Sequence, residues 1–129
     1  MKERFLRAEG KGEYDYDFIH DIIFFKIRNR EYVKSIELDN IVIDIDEEEF
    51  IVGIQIFEAS EFLGLDKKLL LNIKNWKFEA SVNEKRIIIK LAFQSVIRNK
   101  IIHTKPIIVE RTEESLPNSE MICMPAMTK

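Results

Sequence analysis

Asp15, Asp17, His20 and Asp21 crowd carboxylates and an imidazole into one short stretch, the cluster of oxygen and nitrogen ligands closest in sequence. Such a set suits a divalent cation or acid–base work, with Asp17, His20 and Asp21 as the candidate catalytic residues. In an extended strand, however, His20 and Asp21 point to opposite faces, so only a turn brings them to one centre. The simpler reading makes Asp17 an Asx-turn residue that accepts from its own backbone, with Asp21 doing the same from the other side. Asp44, Asp46, Glu47, Glu48 and Glu49 form a second acidic group, but it lacks the alternation and central glycine of a calcium loop and reads as a solvated turn. No metal site is assigned and no cofactor is expected.

Two similar basic tips, Ile27-Arg28-Asn29-Arg30 and Ile97-Arg98-Asn99-Lys100, each follow an apolar run. If both lie at one end of the fold, Arg28, Arg30, Arg98 and Lys100 form a cationic patch able to hold phosphate or RNA; otherwise they are hairpin turns. His103 has no nucleophile patterned with it, and Ala59-Ser60 reads as a strand-to-helix corner. Met121 and Met124, with Met127, are flexible apolar side chains suited to adaptable contacts with a partner. Gly53 is the mark of a close approach by a neighbouring element.

The chain of 129 residues is 46% hydrophobic and 33% charged, with a net charge of −3. That is enough for one substantial core, and too little positive charge for a protein devoted to nucleic-acid phosphates. Cys123 is the only cysteine, which excludes an intramolecular disulfide and the usual cysteine-rich zinc sites. With no leader-like N-terminus and no apolar run of membrane-spanning length, the expectation is a soluble cytoplasmic protein.

Strands are expected over residues 21–28, 33–38, 41–45 and 50–57, joined by the turn-favouring Asp39-Asn40 and the acidic turn. The period then changes. Glu58 to Leu63 reads as a short helix stopped by Gly64, and Asp66 caps a second through Asn72, with Leu65 and Leu70 as a hydrophobic staple. Trp76, Phe78, Ala80 and Val82 share one face of a further strand, and Ile87, Ile89, Leu91, Phe93, Ser95 and Ile97 one face of the next. A third covers Ile101 to Val109, where Pro106 marks an edge or a bulge. After Arg111 the pattern fades into a segment that either frays or folds back on the core or a partner. The fold class is α+β, mainly antiparallel β-sheet, with a short helical pair in mid-chain. One continuous sheet, a partly closed barrel and two packed sheets all remain open. Residues 1–112 are expected to form a single domain, with 74–110 as its β-meander half and 113–129 as a C-terminal tail.

Tyr16-Asp17, then Asp21 and an apolar run, together with Val52-Gly53-Ile54-Gln55-Ile56-Phe57-Glu58-Ala59-Ser60, resemble the opening and closing motifs of the domain of unknown function 2283 family. The resemblance covers about residues 13–64. Gln55 stands where the family tends to have glutamate, Phe24 where it often has tyrosine, and the turn at Glu47-Glu48-Glu49 lacks the usual glycine. The resemblance implies a fold more than an activity, though some members look like the antitoxin half of toxin–antitoxin pairs. Three functions follow as expectations. The first is a non-enzymatic interaction or regulatory module, antitoxin-like, that pairs with itself as a homodimer or with another protein. The second is an enzyme centred on Asp17, His20 and Asp21; the third is phosphate or RNA binding by the basic tips.

Overall fold

The computed structural model describes residues 5–126, so Met127 lies outside the described residues. Five strands come first: β1 (Phe5–Asp17), β2 (Ile22–Ile27), β3 (Tyr32–Leu38), β4 (Ile41–Asp46) and β5 (Ile51–Phe57). Two helices follow, α1 (Ala59–Leu63) and α2 (Lys67–Leu71). The chain then adds β6 (Ile73–Asn83), β7 (Arg86–Ile97), β8 (Lys100–Thr104), β9 (Ile107–Arg111) and β10 (Asn118–Pro125). All ten strands join one sheet in the order β3-β4-β5-β2-β1-β10-β6-β7-β8, with β9 also on β7. Every pairing is antiparallel except β1 with β10. The path has two ends, so the α+β, mainly antiparallel expectation holds as one continuous sheet that is not closed into a barrel.

The sheet bends back on itself. Phe25 of β2 lies 5.2 Å from Trp76 and 5.7 Å from Phe78 on β6, and 5.9 Å from Phe93 on β7, although β1 and β10 separate those strands in the ladder. Inward-facing isoleucines of β4 and β5 and the apolar faces of β6 and β7 fill the space between the two halves. The bend runs through β1, whose inward positions are Leu6, Ala8, Gly10, Gly12, Tyr14 and Tyr16. A Cβ on Gly12 would meet the Cys123 sulfur and sit 2.5 Å from the Lys26 carbonyl oxygen. A Cβ on Gly10 would instead run into the Ile27 side chain. Small inward residues thus let neighbouring strands coil tightly around the core.

Residues 118–125 lie at the centre of the sheet as β10, hydrogen-bonded between β1 and β6. Of the two readings of the terminal segment, folding back on the core is the one observed over these residues. Met121 and Cys123 face the core, and burial pushes the Cys123 thiol up to about 12. The helices match their sequence signals. Gly64 adopts φ 68° at the end of α1, and the Asp66 carboxylate accepts from Lys68 N at 2.8 Å at the start of α2. Leu70 is fully buried, and Leu65 packs partly against the core. No helix among the described residues is long and apolar enough to cross a membrane.

The expected strand from Ile101 to Val109 is divided in two, since the ladder to β7 lapses at Lys105-Pro106. Its register does not shift: Thr104 opposes Phe93 and Ile107 opposes Lys90, with Leu91 N still donating to the Pro106 carbonyl at 3.0 Å. Pro106 therefore marks an edge and not a bulge.

The acidic turn between β4 and β5 is organised by Asp46, whose buried carboxylate accepts from Glu48 N at 3.1 Å and Phe50 N at 2.9 Å. Glu49 in this turn adopts φ 70°, a left-handed conformation that costs an L side chain about 1 kcal/mol and glycine far less. The glycine expected in this turn from the family resemblance is thus missing from a turn that needs it. Glu49→Gly is expected to stabilise the fold by about 1 kcal/mol in urea titrations, provided the left-handed geometry is kept.

Candidate functional site

The turn from Phe18 to Asp21 joins β1 to β2 at the end of the sheet that also carries α1. Asp17 Oδ1 accepts from Ile19 N and His20 N, both at 3.1 Å, and its Oδ2 lies 2.8 Å from His20 Nδ1. The His20 ring bond and the backbone donors hold the exposed Asp17 carboxyl below its usual range. This is the Asx-turn arrangement. Asp21, at φ 58°, faces elsewhere: Tyr16 donates its hydroxyl to Oδ1 at 2.6 Å, and Ser60 Oγ donates to Oδ2 at 2.6 Å. Ser60 N also donates to the Asp21 carboxylate, and Ala59 N donates to the Asp21 carbonyl at 2.9 Å. Burial works to raise Asp21, but the bonds from Ser60 and Tyr16, with Lys67 nearby, outweigh it and hold the carboxyl low. Burial, and then the hydrogen bond and charge of the same carboxylate, push Tyr16 well above its ordinary value.

Asp17, His20 and Asp21 are adjacent, then, but they do not converge. The first two satisfy each other, and the third is bound to Tyr16 and the start of α1. Among the described residues no group of three or more His, Cys, Asp and Glu side chains is placed to hold a metal ion. Asp15 points to the opposite face of β1 from Tyr14 and Tyr16. Tyr14 ties the sheet to the second helix, donating to the Leu70 carbonyl at 2.5 Å, and burial followed by the charge of Asp15 raises it to about 12.

The basic tips do not meet either. β2 and β7 run in opposite directions in the sheet, so Arg28 and Arg30 leave one end of it and Arg98 and Lys100 the other. Arg28 is paired with Glu13 at 3.0 Å. Arg30 bonds Asp46 at 2.7 Å and Glu48 at 2.8 Å with its guanidinium over the Phe50 ring, so it serves the acidic turn. Met121 is buried in the core, whereas Met124 lies on the outer face in a shallow groove with Lys77, His103 and Lys105.

A feature that the sequence did not announce is an open groove of about 420 Å³ on the outer face of the sheet. Asp15, Phe24 and Gln55 line it as one row over three strands, and Glu13, Lys26 and Asp44 belong to the next. Gly53, between Lys26 and Asp44 in the ladder, has little room for a side chain: a Cβ there would sit 3.1 Å from Asp44 Oδ2 and 3.2 Å from the Phe25 carbonyl. Alternation along each strand, read across neighbours, is the signal that would have found the groove.

The residues that carry the Tyr16–Asp21–Ser60 network are those of the two motifs, one at each end of the segment from β1 to α1. The family model described as "Protein of unknown function (DUF2283)" matches residues 13–60. A Methanosarcina mazei protein, named "Putative hypoxanthine phosphoribosyltransferase", is 40% identical over 90 residues, 70% of this chain and 73% of the relative. The chain belongs to the DUF2283 family. An uncharacterized protein of Methanocaldococcus jannaschii is 26% identical over 113 residues, 87% of this chain and 97% of its own. No solved structure matches the chain. In this DUF2283 chain the matched segment holds β2 to β5, the end of β1 and the start of α1, while β6 to β10 complete the sheet.

Proposed function

We propose that this DUF2283 protein is a non-enzymatic interaction module that works through an open edge of its sheet, in the manner of a small antitoxin that covers its target. The observation that carries this reading is the edge formed by β8 and β9. Ile101, Ile107 and Val109 stand there 58%, 61% and 56% exposed. A long edge with exposed branched side chains is a template for another strand. The partner is a second copy of the chain or a different protein.

The chemistry of the turn favours this reading over an enzyme, because the Asp17, His20 and Asp21 side chains are bonded to neighbours and do not converge. Among the described residues, neither helix start offers a phosphate cradle for the transferase activity in the name of the Methanosarcina relative. Phosphate recognition commonly uses free N–H groups at a helix start. Here both helix starts are occupied by the protein's own carboxylates, Asp21 at α1 and Asp66 at α2.

Pull-down of the tagged chain from its native lysate, split into nuclease-treated and untreated halves, tests the reading. A stoichiometric protein, or an untagged copy of the chain itself, is expected to be retained after nuclease. Loss of all bound material with the nucleic acid, or recovery of the tagged chain alone, would count against it.

A further inference from the structure

We infer that β9 pairs antiparallel with β9 of a second copy, on a twofold axis at Val109, so that two sheets become one. The inference rests on the interaction-module reading and gives its partner and register. Leu91 N donates to the Pro106 carbonyl and Thr112 N to the Lys85 carbonyl, both at 3.0 Å. In an antiparallel ladder each residue's N–H and C=O point to the same side, and successive residues alternate. Residues 106, 108, 110 and 112 therefore face β7, and Ile107, Val109 and Arg111 turn their backbone groups away from it. The donor that Pro106 lacks is missing on the β7 side. Proline, a usual guard of sheet edges, leaves this edge open to a second strand.

A twofold axis at Val109 uses all three outward residues. Val109 exchanges both backbone hydrogen bonds with Val109 of the second copy, and Ile107 exchanges both with Arg111 at each side. The side chains agree with the same register. Ile88 is the β7 neighbour of Val109, so the outer face gains an apolar row of Ile88, Val109, Val109 and Ile88 across four strands. Arg111 falls opposite Ile107 and Glu110 opposite Ile108, so no like charges meet. Other registers are worse. An axis at Lys105 sets lysine against lysine, and one at Ile108 sets Lys105 against Arg111. One at Ile107 lays Lys105 across Val109 and breaks the apolar row.

Cysteine mapping reads the register directly, because the native Cys123 is fully buried. In the full chain, Val109→Cys is expected to form a disulfide-linked dimer under mild oxidation, while Ile107→Cys and Arg111→Cys alone stay monomeric on denaturing gels. Val109→Pro removes only an outward donor. It is expected to keep the circular dichroism of the parent and to weaken dimerisation about tenfold or more by sedimentation equilibrium. Cross-linking at Ile107→Cys in place of Val109→Cys, or an unchanged dimer with Val109→Pro, would overturn the register and the edge respectively. A folded wild-type chain that stays monomeric overturns self-pairing. If such a monomer still captures another protein through a photo-cross-linker at position 107, the interaction reading stands without it; no capture removes both.

Discussion

Gly12→Ala is expected to destabilise the protein by about 3 kcal/mol or more, a large part of the stability of a domain this size. The added methyl meets two obstacles of different kinds. The Cys123 sulfur is a side-chain atom, but the Lys26 carbonyl, 2.5 Å from the new Cβ, belongs to the ladder between β1 and β2. One strand must shift, and the bend that brings Phe25 onto Trp76 and Phe78 opens with it. Gly10→Ala provides the contrast. Its methyl meets only the end of the Ile27 side chain, which can rotate, so a loss of about 1 kcal/mol is expected. Adding Cys123→Ala to Gly12→Ala relieves the first obstacle and leaves the second. Denaturant titration of the set is then expected to show partial rescue; full rescue would mean that the backbone approach does not limit the bend.

Those two glycines also explain why β1 was hidden in the sequence while its antiparallel partner β2 was plain. Its inward row of Leu6, Ala8, Gly10, Gly12, Tyr14 and Tyr16 alternates faithfully with the charged Arg7, Glu9, Lys11, Glu13, Asp15 and Asp17. A period-two signal depends on contrast, however, and at its middle the contrast is between charge and no side chain at all. β10 escaped for the opposite reason. Its Met121, Ile122, Cys123 and Met124 are apolar on both faces, so no alternation marks it as a strand. β6 alternates cleanly, with Trp76, Phe78, Ala80 and Val82 on the core against Lys77, Glu79 and Ser81, and β7 is legible through the unbroken apolar row from Ile87 to Phe93. Helix ends were equally legible, since Gly64 and Asp66 act within a turn of their own position. The sheet order was not, because the parallel pairing of β1 with β10 joins the two ends of the chain and no local signal encodes it. For the candidate site, the Asx turn at Asp17 could be read locally. The bond from Asp21 to Ser60 could not, as it spans 39 residues.

That bond supplies the second large effect. Asp21→Ala strips the acceptor from the Tyr16 hydroxyl, the Ser60 hydroxyl and the Ser60 N–H, and places alanine at φ 58°. A loss of about 3 kcal/mol is expected, from unpaired groups at a partly buried corner and from the left-handed backbone. Asp21→Asn keeps a residue suited to that backbone and keeps the shape, but its amide presents donors where Tyr16 and Ser60 also donate; about 1–2 kcal/mol is expected. The pH dependence separates charge from shape. The Asp21 carboxyl is held below its usual value of 3.8 in the folded state. Its contribution is therefore complete above that value and is lost as pH falls through the lower, folded-state value. Stability curves for the wild type and Asp21→Asn should run parallel at neutral pH and approach each other below about pH 4. A gap that stays constant to pH 2 would show that the carboxylate's charge does not hold α1 to the β1–β2 turn. Hydrogen exchange at Ser60 N–H gives the local reading: faster exchange in Asp21→Asn, with Lys68 N–H at the independent Asp66 cap unchanged, places the loss at this corner and not in the fold at large.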